Sequence, residues 1–158
     1  MADVVAAARQ QKAAPWFKRY NGTWEELALG GGKFTPLNLP VQGYMHGDAI
    51  YVAAIDQYAI VSQSGDRSDH AEDWHKKILL AFSGDGFTWS EWQQVYTDGN
   101  KDHVYYPSLM SYGPDNEIAG ETFAVVFQYK GEPYTTGDDH PWQFKAVNVT
   151  VSAGSVVV

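Results

Sequence analysis

The chain has 158 residues, enough for one domain with a real core and too few for two full-sized ones. Aromatic residues make up 15% of it and charged residues 19%, against about 25% charged in an average globular chain, which excludes a disordered segment. A net charge of -8 excludes the basic footprint that a nucleic-acid or anionic-membrane surface requires, while an aromatic-rich acidic chain suits neutral polar ligands such as sugars. With no cysteine there is no disulfide, thiolate metal site or thiol nucleophile. Apolar runs fall short of the roughly 18 residues a membrane helix needs.

Residues 3–14 predict a helix: Asp3 can cap it, alanines favour it and Pro15 ends it. No basic segment followed by an apolar core precedes it, so no secretory signal is evident and a cytoplasmic location is the default expectation. Everything after Pro15 reads as strands and turns. Residues 16–20 and 23–29 flank Asn21-Gly22, a strong hairpin signal, and Gly30-Gly31-Gly32 with the proline-bearing stretch 36–40 form a connection. Residues 49–55 and 58–63 predict two apolar strands, followed by a polar loop over 64–74. Residues 77–82 and 89–96 predict two more, joined by Ser83-Gly84-Asp85-Gly86-Phe87-Thr88. The pattern restarts with strands over 104–111, 123–129 and 144–151, and Val156-Val157-Val158 reads as a further strand or a contact segment.

A four-stranded antiparallel unit recurring at about 50 residues has the form of a β-propeller blade, and a β-sandwich accounts for the same strands. The expected architecture is therefore all-β: a partial β-propeller of two to three blades with a short N-terminal helix, or a β-sandwich. Its parts are a helix and linker over 1–15, the outer hairpin of a preceding blade and a connection over 16–44, a complete blade over 45–100 and a partial blade over 101–158.

The segment from Ser83 through Asp85, Gly86 and Thr88 to Trp89 is the most specific in the chain. It resembles the Asp-box of sialidases and related glycosidases in a variant one residue shorter. Asp85 can accept backbone N–H groups within the loop, Gly86 can take positive φ, and Trp89 can pack the turn onto its sheet. Trp16 through Trp24, then Gly30-Gly31-Gly32, His46-Gly47-Asp48, Tyr106-Pro107-Ser108-Leu109 and residues 123–129 complete a wider likeness. Together they resemble the C-terminal half of five-bladed propeller proteins of the glycoside hydrolase family 43 and sialidase-like kind. The resemblance implies a structural role for the Asp-box and a central channel facing the first strand of each blade. The early blades, which carry part of that family's carboxylate set, have no counterpart here.

That channel singles out His46 and Asp48 on one blade, and Asp102, His103, Tyr105 and Tyr106 on the next. As a catalytic set, Asp48, His46 and His103 would supply a general base and groups that hold a sugar hydroxyl, with Tyr105, Tyr106 and Asp102 binding the ligand. Inverting hydrolysis needs two carboxyl groups with room for water between them. The plainer reading makes the aspartates turn or cap residues and lets the histidines satisfy backbone groups. Asp66, Asp69, His70, Glu72, Asp73 and His75 form an acidic loop, as do Asp138, Asp139 and His140; a calcium ion is conceivable there, yet the spacing fits no EF-hand or zinc motif, so no cofactor is expected. Trp24, Trp74, Trp92 and Trp142 are either sugar-stacking platforms or core aromatics.

A few blades alone leave open strand edges, so the chain is expected to self-associate, most simply as a homodimer. The leading functional expectation is a carbohydrate-binding or interaction module. The alternatives are a glycoside hydrolase with a site assembled across subunits, and a truncated remnant without sugar activity.

Overall fold

In the computed structural model the chain is all-β, with eleven strands and no helix among the residues that the structure describes: 17–27, 44–64, 76–97, 103–130, 142–152 and 155–157. The helix expected over 3–14, the acidic loops and Asp102 lie outside the described residues.

The chain divides into two compact units, residues 1–37 and 38–158. In the first, β1 (Phe17–Tyr20) and β2 (Thr23–Leu27) form an antiparallel hairpin. Its turn residues Asn21 and Gly22 have φ of 51° and 84°. Two successive positive φ values give a turn whose twist matches that of the flanking strands, which is why Asn-Gly is favoured there.

The second unit is built from two sheets. One is the meander β3 (Tyr44–Val52), β4 (Gln57–Ser64), β5 (Lys77–Ser83) and β6 (Gln93–Thr97), extended at the β3 edge by the two-residue β8 (Ile118–Ala119). The other is β7 (His103–Ser111), β9 (Thr122–Lys130), β10 (Gln143–Ser152) and β11 (Ser155–Val157). Every pairing is antiparallel except β3 with β8. Ile50, Val52, Val61, Ile78 and Leu80 of the first sheet and Val104, Phe123, Val125, Phe127 and Val149 of the second form one buried cluster. The strands curl as a half-barrel around this core.

Several boundaries differ from the sequence expectation, each for a local reason. The first meander strand begins at Tyr44 rather than 49 because a bulge at His46 lets the chain keep pairing: Met45 faces Gln63, and Gly47 already faces Ser62. It ends at Val52, where residues 53–56 turn and Asp56 adopts φ 54°. The fourth strand begins at Gln93 rather than 89, because Trp89 and Ser90 remain part of the turn, with the Ser90 amide donating to the Phe82 carbonyl at 2.8 Å. β8 is legible only in three dimensions: Tyr51 and Ala53 donate to the carbonyls of Glu117 and Ala119 at 3.0 and 2.8 Å, covering part of an otherwise open edge.

Candidate functional site

The turn over Ser83–Trp89 is a closed hydrogen-bond knot. The Ser83 hydroxyl donates to Asp85 Oδ1 at 3.0 Å and accepts the Gly86 amide at 2.8 Å, while Asp85 Oδ1 accepts the Phe87 and Thr88 amides at 2.8 and 2.7 Å. These donors, the Thr88 and Phe87 amides first and the Ser83 hydroxyl after them, stabilise the carboxylate and hold the Asp85 pKa at about 2. Gly86 sits at φ 76° with the Tyr58 ring 3.8 Å from where a Cβ would lie. The Ser83 hydroxyl and the Asp85 carboxylate both shape the turn, while the buried Trp89 Nε1 has no hydrogen-bond partner among the described residues.

Asp48 is engaged in the same way. Its Oδ1 accepts the Ala49 amide at 2.8 Å, and its Oδ2 accepts the Ser108 hydroxyl at 2.6 Å and the Leu109 amide at 3.0 Å. One carboxylate thus ties β3 to β7, with Oδ2 accepting twice and Oδ1 once. Gly47 lets β3 approach β4 closely at the bulge, since a Cβ there would stand 2.7 Å from the Val61 carbonyl oxygen. His46 lies at the bulge of β3, and His103 opens β7, where its ring stacks on Tyr105 at 6.4 Å and 21°.

What Asp48 and its neighbour Gln63 hold in place is a bulge of β7. Tyr105 pairs with Gln128 and Ser108 with Val126, so Tyr106 and Pro107 together oppose a single residue of β9. The extra residue reverses the alternation and returns Leu109 to the core after Val104. Tyr106 takes φ 51°, a conformation a bulky L-residue adopts only when its surroundings impose it. The imposing group is Gln63, fully buried between the sheets, whose Oε1 accepts the Tyr106 amide at 3.0 Å. The outcome is an aromatic side chain held 55% exposed on a strained, doubly anchored backbone.

Tyr106 belongs to a group. Its ring lies 6.1 Å from Tyr105, and Trp142, just before β10, meets Tyr105 edge-to-face at 5.2 Å and 86°. Lys130, almost wholly buried, places its Nζ over the Trp142 ring at 5.7 Å. Phe144 faces the same way, pairs with Gln128 in the same row as Tyr105, and is the most exposed large apolar side chain among the described residues.

Of the residues named from the sequence, the structure therefore brings together His103, Tyr105, Tyr106 and Trp142, with Asp48 beneath the bulge as an anchor. Trp92 lies half-buried before β6, and Asp102 lies outside the described residues. Gln63, Lys130 and Phe144 were missed. Gln63 carries a signal in retrospect, as an amide near the end of a strand whose middle, Ala59-Ile60-Val61, is apolar. Trp142 and Phe144 alternate around Gln143, which places them on one face of a strand. No group of His, Cys, Asp or Glu suited to a metal ion occurs among the described residues. No family model, curated protein or solved structure matches the chain.

Proposed function

We propose that this chain is a propeller-derived saccharide-binding module whose ligand rests on Tyr105, Tyr106, Trp142 and Phe144. The observation that carries the reading is the strained Tyr106 bulge. Buried Gln63 and the Asp48 carboxylate, both on the other sheet, hold an exposed aromatic in an unfavourable backbone conformation beside three more aromatic rings. Strain of about 1–3 kcal/mol is retained where the surroundings over-determine it, and such sites concentrate at ligand contacts. Aromatic faces give sugars an apolar surface for their C–H groups while leaving the hydroxyls in water. The two consecutive meanders, β3 to β6 and β7, β9 to β11, support the propeller parentage.

Asp48 contributes to this reading as an anchor: its carboxylate accepts three structural hydrogen bonds, from the Ala49 amide, the Ser108 hydroxyl and the Leu109 amide. Self-association as a homodimer belongs to the same proposal, since β6 and β11 end their sheets. Light scattering should give twice the chain mass, and a monomer would count against the dimer.

The test of the function is calorimetric titration with a panel of glycans, with Tyr106→Ala and Trp142→Ala as controls. Saturable binding weakened about tenfold or more by either change supports the module. Binding indifferent to both changes, or hydrolysis lost in Asp48→Asn, would contradict it.

A further inference from the structure

We infer that residues 113–121 form a strap that opens from the edge of β3 and recloses while the two sheets stay folded. The segment leaves the second sheet after β7, runs beside the first sheet and returns at β9, so an excursion of one sheet closes the edge of the other. It meets β3 through β8, where Tyr51 pairs with Ile118 and Val52 with Ala119. That ladder is two residues long and parallel, the weaker kind of pairing per residue. The Tyr51 and Ala53 amides donate to the carbonyls of Glu117 and Ala119 at 3.0 and 2.8 Å. The Val151 amide donates to the Glu121 carbonyl at 2.8 Å, and the Ser111 hydroxyl to the Ile118 carbonyl at 2.7 Å.

Little side chain is buried with these bonds. Across 113–121 only Ala119 is buried, its methyl joining the shared core, and every other residue of the strap is exposed. Ordering the segment costs backbone entropy at each residue, and one buried methyl with a few hydrogen bonds exchanged against water returns little of it. The neighbouring strands β4 and β5 bury most of their side chains, so the same balance keeps them closed. Gly120 has room to turn, since a Cβ there would meet nothing within 4 Å. At the other end Ser111 acts as the clasp: its hydroxyl accepts the Gly113 amide at 2.9 Å while donating to Ile118. Release would free the Tyr51 and Ala53 amides at the β3 edge and bare the core beside fully buried Val52. The Asp48 and Gln63 hydrogen bonds would still hold β7 to the first sheet. Local opening of this kind is expected where buried apolar contact is sparse.

Two measurements on the whole chain test the strap. In native-state hydrogen exchange, the Tyr51 and Ala53 amides should exchange at least about tenfold faster than those of Ile60, Leu80 and Val125, at a rate that low denaturant leaves unchanged. The chain has no cysteine, so Ala119→Cys places a single thiol under the strap, and Ala81→Cys places one in fully buried β5 as the control. A thiol reagent should label the Ala119→Cys variant at least about tenfold faster than the Ala81→Cys variant. Ser111→Ala, which removes the clasp, should speed that labelling further and leave the Ala81→Cys rate unchanged. Exchange of Tyr51 and Ala53 in step with Val125 would overturn the inference, whether or not the cysteine variants fold. Equal labelling rates that rise together with denaturant would overturn it as well.

Discussion

On β5, Leu79 and Ala81 alternate away from the shared core and are still only 4% and 0% exposed, whereas on β10, Phe144 faces away from the same core and is 78% exposed. Ser62 and Ser64 of β4 follow the first pattern, and Met110, Tyr112 and Trp142 of the second sheet follow the other. The central strands β4 and β5 of the first sheet are therefore largely buried on both faces, and its long turn is closed by Asp85. The second sheet is buried on one face, and on or beside the other it exposes Tyr106, Tyr112, Trp142 and Phe144 among small and polar side chains. On the proposed reading, scaffold and recognition fall on different sheets, and the Gln63 and Asp48 hydrogen bonds join those sheets.

Substitutions that break the shared core should have the largest effect and should not distinguish the sheets. Phe127→Ala removes a fully buried ring that packs on Tyr96 at 4.7 Å, and denaturant unfolding should show a loss of about 3–5 kcal/mol in one cooperative transition. Two separate transitions would mean that the sheets do not share a core. Next come the anchors of the first sheet. Gly47→Ala drives a Cβ against the Val61 carbonyl and should destabilise by about 1–3 kcal/mol. Gln63→Leu leaves the Tyr106 amide without its acceptor, with a loss of similar size, about 1–3 kcal/mol, and weaker ligand binding as well.

The Asp85 turn should act through pH. Its folded pKa of about 2 lies below the ordinary 3.8, so the stability it contributes is complete above the ordinary value and is lost as pH falls through the folded one. Acid titration of Asp85→Asn should show a shallower fall in stability between those limits than the parent; parallel curves would show that the carboxylate contributes nothing. Smallest on stability, within about 0.5 kcal/mol, should be Phe144→Ala, because that side chain is 78% exposed. A large drop in melting temperature would show that the open face is structural after all.

Local signals in the sequence were strong where the chemistry is local. Asn21-Gly22 announces its turn, Ser83 to Trp89 announces the Asp85 knot, and alternating apolar residues announce the meander strands. The rest depends on partners distant in the chain. β8 pairs with β3 across more than sixty positions of sequence, from Ile118 back to Tyr51, and only two residues take part, too few for any periodicity. Asp48 reads as a candidate base because its neighbours in sequence are His46 and Gly47, but its chemistry is set by Ser108 and Leu109. The Tyr106 bulge left a trace, the break in alternation between Val104 and Leu109, yet the glutamine that fixes it lies on another sheet.

The assignment of scaffold to one sheet and recognition to the other is tested most directly by amide chemical-shift mapping of the whole chain titrated with a soluble neutral oligosaccharide. The account predicts saturable shifts confined to residues around 103–106, 128–130 and 142–144, with the Asp85 turn unmoved. Shifts centred on the Asp85 turn or on the far face of β4 and β5, or none anywhere at saturating sugar, would contradict it.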